Sequence, residues 1–193
     1  STKKAEQNKV WVGLSKETAH QLGTPISSLM AWMDLLESSG VDSSLLSDMN
    51  KDVNRLSVIA ERFSKIGSKP EMELIYVNEV LENATEYMRR RVSDKVLITT
   101  HLPSDAEGAM VCLSLFEWVI ENLCKNAVDA MNGEGRIDVY MTSKKQQIYI
   151  DIKDTGKGIA RKNFKTVFNP GYTTKKRGWG LGLTLAKRII EDY

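Results

Sequence analysis

Several things are scarce in this sequence, and each scarcity excludes a class of protein. There are two cysteines in 193 residues. Cys112 and Cys124 both sit in apolar stretches, so they read as buried reduced thiols rather than a disulfide framework. No apolar run approaches the ~18 residues of a membrane span, and the N-terminus has no signal-peptide core. The formal net charge is only +2, which gives no push toward nucleic acid or an anionic membrane. The GxxxxGK[ST] phosphate loop is missing, as are the HRD and DFG patterns, so phosphate chemistry of those classes is excluded. The expectation is a soluble cytoplasmic piece with no nucleic-acid partner and no membrane contact of its own. A longer, membrane-anchored protein could contain it.

What is present divides into two halves with different periods. At 41% hydrophobic and 27% charged, the chain can build one core, or a small core plus a helical appendage. Residues 1–8 are polar and read as a frayed end. From Val12 the apolar positions fall at Val12, Ala19, Leu22, Ile26, Leu29, Met33 and Leu36, with Ser15 filling one more step. Steps of three and four are the heptad pattern of a helix packed on other helices. "SSGVDSS" (38–44) is turn chemistry, and the pattern resumes at Leu46, Met49, Val53, Leu56, Ala60 and Phe63. The result is an antiparallel helical hairpin over residues 1–66. One hairpin cannot bury both its stripes, so we expect a homodimer forming a four-helix bundle. The plainer alternative packs the hairpin on its own C-terminal half.

Residues 67–73 read as a linker, and 74–193 as a second domain of α+β class with helices on one face of a mixed sheet. "ELIYV" and "KVLITTHL" predict strands, and "NEVLENATEYMRRRV" predicts a helix capped by Asn78. Ser114 with Glu117 suggests a capping box opening an amphipathic helix through Met131. "RIDVYMTSKKQQIYIDIKD" predicts a β-hairpin. A final helix starts near Gly180.

Three features carry chemistry. Asn122, Asn126 and Asp129 share one face of the Ser114–Met131 helix. A polar stripe is usually just solvated, but asparagine is a poor helix former, and carboxamide oxygens can ligate Mg²⁺. "DTGKG" places Asp154, Gly156 and Gly158 straight after a strand. The carboxylate could accept a hydrogen bond from the exocyclic amine of adenine, with glycines admitting a flat ring; a simple tight turn explains the stretch as well. "GWGLGL" opens the last helix with Gly178, Gly180, Leu181 and Gly182, and glycine-rich helix N-termini hold phosphate. Between these lies an irregular stretch with two aromatic anchors, Phe164 and Phe168, and a basic run, Lys175-Lys176-Arg177. Placed just before a phosphate-binding turn, that run suggests a lid contact to a terminal phosphate.

The order "AHQLGTP", "ENLCKNAVDA", "DTGKG", the Phe pair and "GWGLGL" resembles the sensor histidine kinases of two-component systems, over nearly the whole chain from about Val10. The resemblance implies a dimerisation and phosphotransfer hairpin, followed by an α/β sandwich ATP-binding domain of the gyrase and histidine-kinase type. It makes His20 the phosphoacceptor, Asn126 the Mg²⁺ ligand with Asn122 alongside, Asp154 the adenine reader, and Gly178, Gly180 and Gly182 the phosphate turn. The implied activity is ATP-dependent autophosphorylation and transfer to an aspartate on a response-regulator receiver domain. The alternatives are a phosphatase-biased member acting through Thr24 or Gln21, and a non-catalytic nucleotide-binding dimeric scaffold. The related ATPases carry a catalytic glutamate where Asn122 stands, which favours histidine over water as acceptor.

With Leu22 and Ile26 in the seam, His20 falls outward, and Thr24 shares its face. A neutral imidazole is the nucleophile such transfer needs. Pro25 lacks an N–H, so the Gln21 carbonyl loses its helical partner and a bend is expected there. Two departures from the family stand out. Gln21 follows the histidine where an acidic residue is usual, leaving Glu17, one turn back, as a substitute acid/base. The chain also stops at "KRIIEDY", where the family continues into further strands, so we expect a C-terminally truncated domain.

Overall fold

Heptad-spaced residues build the first part of the protein. The computed structural model describes residues 2–176 and 180–193, and it divides into two compact units, Ser1–Pro70 and Glu71–Tyr193. In the first unit, helix α1 (Thr2–Ser38) and helix α2 (Ser43–Gly67) form a hairpin. At the turn Gly40 takes a left-handed φ of +78°. The Asp42 carboxylate accepts from the Ser44 N–H at 2.8 Å and caps α2. That backbone bond holds the Asp42 carboxyl below its ordinary range. The polar start, expected to be frayed, is helical from Thr2. Ala, Lys, Glu and Gln are strong helix formers, and nothing in that stretch breaks a helix. Helix α1 also continues through Pro25.

One seam of the hairpin is dry. Ile26, Met33 and Val53 pack together, flanked by Leu22 and Ala60, and Ser15, Leu46 and Ile66 are also buried. The helices approach so closely at one end that a Cβ on Gly67 would lie 2.8 Å from the Lys16 backbone nitrogen. Of the other heptad positions, Val12, Ala19, Leu36 and Phe63 are half-buried, while Leu29, Met49 and Leu56 stay exposed. The hairpin's own seam therefore covers only part of the heptad stripe.

The second unit runs β1 (Glu73–Tyr76), α3 (Val77–Arg89), β2 (Val96–His101), β3 (Gly108–Val111), α4 (Leu113–Ala130), β4 (Gly135–Lys144), β5 (Gln147–Asp154) and α5 (Gly182–Asp192). The main sheet has the order β2-β4-β5, with β2 parallel and β5 antiparallel to β4. β1 and β3 form a small antiparallel pair. Strict alternation on β4 buries Ile137, Val139 and Met141, which pack with Leu81 and Met88 of α3 and Phe116, Ile120 and Cys124 of α4. The apolar stripes of α3 and α4 recur every three or four residues, so each helix lays one face on the sheet. On the sheet's other face, His101 Nε2 bonds Asp138 at 2.9 Å, Arg136 donates to the same carboxylate at 3.0 Å, and the His101 ring stacks on Tyr140. The β4–β5 turn places Lys145 and Gln146 at φ +51° and +60°, the doubly left-handed turn that matches strand twist.

Two expected caps are otherwise. Helix α3 starts at Val77, and Asn78 ties down the following loop instead: its Nδ2 donates to the Pro103 and Asp105 carbonyls, and its Oδ1 accepts from the Glu107 N–H. The N-cap position of α4 is Cys112, with no side-chain cap bond, so Ser114 lies inside the helix and the Ser114–Glu117 box is out of register. Strand β3, a short Gly-Ala-Met-Val segment without period-two patterning, was not expected; it pairs through backbone with β1. Among the described residues, no helix is long and apolar enough to cross a membrane.

Candidate functional site

The hairpin contributes one reactive surface. His20 and Thr24 are exposed on α1, one turn apart. With Ala19, Gly23 and Ser27 they line a shallow groove of about 570 Å³, opened by the small side chains. Gln21 does not turn to His20. Its Nε2 donates to Glu17 Oε1 at 2.7 Å, so the amide and the carboxylate one turn back form a pair.

The α/β unit arranges the other candidates along α4, from Asn122 at its middle to Ala130 at its end. Asp154 ends β5, and its Oδ1 accepts from the Gly156 N–H at 2.8 Å. The loop it opens is pressed against the last turn of α4: Lys157 N–H donates to the Ala130 carbonyl at 3.1 Å, and a Cβ on Gly156 would stand 2.7 Å from the Ala130 carbonyl carbon. The first demand on Gly156 is thus contact with the helix backbone, where the sequence suggested room for a ring. Gly158 is needed for its φ of +70°. Thr155, which no sequence signal singled out, locks the junction. Its hydroxyl accepts from the Arg136 N–H at 3.0 Å and sits 3.3 Å from the Met131 sulfur.

The start of α5 closes the other side. Leu181 is its N-cap residue and carries no side-chain cap bond, leaving the first-turn N–H groups as the helix's positive end. Gly182 faces Asn122, whose Oδ1 would lie 3.9 Å from an added Cβ. The Asn122 Nδ2 is buried and has no hydrogen-bond partner among the described residues. A buried amide donor beside a helix N-terminus fits an anionic oxygen. Asn126 and Asp129 differ from it: Lys175 Nζ donates to Asn126 Oδ1 at 3.0 Å and to Asp129 Oδ2 at 2.5 Å. The stripe therefore already holds one cation on two oxygens, which fits the donor set a hard divalent ion uses. Lys176 is exposed. The expected contributions of Gly178 and Arg177 lie outside the described residues.

The long connection holds two 3₁₀ turns, Arg161–Asn163 and Thr166–Phe168. Of the two expected aromatic anchors, Phe164 is 54% exposed, and Phe168 is held through its carbonyl, which accepts from Thr184 Oγ1 at 2.9 Å, and through its ring, with Lys187 Nζ 5.4 Å from the centroid. The buried anchor is Val167 between them. Cys124, behind the stripe, has its thiol pushed up to about 11, chiefly by burial and then by the Glu121 charge. It is inert packing rather than a nucleophile.

Residues 113–193 match the family described as histidine kinase-, DNA gyrase B-, and HSP90-like ATPase. Over 196 residues the chain is 24% identical to Sporulation kinase A of Bacillus subtilis, covering 98% of this chain and 32% of that protein. It is 27% identical over 184 residues to the signal transduction histidine-protein kinase AtoS of Escherichia coli, covering 91% of this chain and 30% of that one. The chain spans about a third of the length of such curated relatives. Full-length ShkA, solved in complex with AMPPNP, superposes with a TM-score of 0.69 at 17% identity, covering 92% of this chain and 40% of its own. That likeness extends the shared fold across both units.

Proposed function

We propose that this chain, whose residues 113–193 belong to the histidine kinase-, DNA gyrase B-, and HSP90-like ATPase family and whose remainder follows sensor histidine kinases, binds ATP and transfers its terminal phosphoryl group to His20. The observation that carries this reading is the convergence of the α4 stripe, the Asp154 loop and the α5 N-terminus in one unit, on a chain that exposes a histidine ahead of Thr-Pro in the other.

Each part has a role set by its chemistry. Asp154 accepts from an exocyclic amine at the strand end. The α5 N-terminus and the buried Asn122 amide donate to phosphate oxygens. Asn126, with Asn122 alongside, offers its oxygen to Mg²⁺, and Asp129, bonded to the same Lys175 as Asn126, adds a carboxylate; the ion when bound offsets phosphate charge during in-line transfer. A ring nitrogen of His20 forms the P–N bond as the P–O bond to ADP breaks. The proton displaced from the ring needs an acceptor, and Glu17, tethered by Gln21, supplies a carboxylate within one helical turn. The phosphoryl group then passes to a response-regulator aspartate. The exposed members of the heptad stripe, Leu29, Met49 and Leu56, support a homodimer. Gln21 itself cannot take a proton, which keeps the phosphatase-biased alternative in play through Thr24.

Intact mass after incubation with Mg-ATP at neutral to mildly alkaline pH tests this, since acid hydrolyses phosphohistidine. One added phosphoryl group that disappears in His20→Ala is the expected result. No adduct in either protein, with ATP still bound, would rule out autokinase activity in this chain.

A further inference from the structure

Lys175 belongs to an arm whose base is shut. The Gly171 N–H donates to the Gly180 carbonyl at 3.0 Å, and both glycines have left-handed φ, +81° and +66°. A Cβ on Gly180 would come within 2.5 Å of the Gly171 carbonyl carbon, so the neck admits no side chain there. Further out, the Lys175 N–H donates to Thr173 Oγ1 at 3.0 Å. From this arm the ammonium reaches α4 and bonds two oxygens, Asn126 Oδ1 and Asp129 Oδ2. Those are the oxygens the nucleotide reading assigns to a divalent cation. An ammonium and a divalent cation on the same two oxygens repel each other, so they compete for the stripe.

We propose that Lys175 is a built-in counter-ion that latches the 171–176 arm onto α4 in the nucleotide-free protein, and that a divalent cation binds this stripe by displacing it. The idea rests on the nucleotide reading for the cation's purpose, and on the two Lys175 contacts for the latch. The pair is suited to be displaced. Its side chains remain 42% and 52% exposed, and such pairs shift an equilibrium by roughly fivefold at most. A compact ammonium makes monodentate bonds that an incoming ion can replace one at a time. The closed neck keeps the released lysine beside the site, where a terminal phosphate would attract it. Cation binding and arm release are then linked reciprocally: whatever favours one favours the other.

The full-length chain tests this without any activity measurement. Amide hydrogen exchange over residues 172–176 would be followed in the nucleotide-free protein, in Lys175→Met, and in Lys144→Met as a charge-matched control on an exposed strand end. Exchange should be faster in Lys175→Met only. Mg²⁺ alone should speed it in the unaltered protein and leave Lys175→Met unchanged. The Mg²⁺ concentration that half-saturates AMPPNP binding should fall in Lys175→Met by roughly two- to fivefold. Exchange that is the same in all three proteins, or a half-saturating Mg²⁺ that does not move, overturns the latch. Should AMPPNP bind neither protein, the nucleotide reading falls, and the exchange comparison alone decides the latch.

Discussion

Ile137 on β4 and Leu29 on α1 are both aliphatic residues at regular positions of regular elements. Ile137 is completely buried, while Leu29 is 41% exposed. The contrast holds across the two units. In the α/β unit, alternation on the strands and stripes on the helices meet in one core, so local pattern and burial agree. In the hairpin the heptad pattern is equally regular, but among the described residues only part of its stripe is buried, around Ile26, Met33 and Val53. Trp32 and Leu35, also on α1, are 64% and 58% exposed. Regular patterning therefore reports what an element can bury, and the number of elements present decides whether it does.

The largest expected effect breaks the self-sufficient unit. Ile137→Ala should destabilise it by about 2–5 kcal/mol, the range for deleting a buried aliphatic side chain. Denaturant unfolding at several protein concentrations should give the same loss at each one. A smaller effect is expected at the hairpin. Leu29→Gln should cost about 2 kcal/mol per protomer if Leu29 is buried in a dimer, and the hairpin's unfolding midpoint should rise with protein concentration. Leu97→Gln, at a more exposed aliphatic site on the α/β unit, should stay within about 0.5 kcal/mol. A Leu29 variant as silent as the Leu97 one, with a midpoint independent of concentration, would remove the dimer and the comparison with it.

The smallest effect concerns charge on the open sheet face. The hydrogen bond from His101, with help from Arg136, holds the Asp138 carboxyl below its ordinary 3.8. A depressed folded value means the stabilisation is fully present above that ordinary value and is lost as pH falls through the folded one. The thermal midpoints of the protein and of Asp138→Asn should differ near neutrality and converge as the pH falls below the ordinary carboxylate range. A gap of constant size across that range would show that the carboxylate acts by packing and not by charge.

Much of this was legible beforehand because it rests on local rules. The turn at 38–44, the hairpin helices, β4 and β5 all follow from periodicity and turn residues. The polarity of the first eight residues suggests a frayed end, whereas their high helix propensity makes α1 helical from Thr2. Asn78 misled because an asparagine ahead of an apolar stripe looks like a cap, whereas long-range acceptors at 103 and 105 outcompete its own helix. β3 has no pattern of its own and exists because β1 offers it a backbone edge.

The site divides in the same way. The stripe Asn122, Asn126 and Asp129 follows from helical spacing alone, and the placement of His20 and Thr24 on one face follows from the heptads. Those properties depend on residues within one or two turns of each other, so sequence determines them. The role of Gly156 as a contact with Ala130, the lock made by Thr155, the burial of Val167 between two exposed phenylalanines, and the pairing of Lys175 with α4 are different. Each joins residues far apart in the chain, Lys175 and Asn126 by 49 positions. Only the folded arrangement decides such partners, because hydrogen bonds and van der Waals contacts depend on distance in space, and sequence separation leaves that distance open.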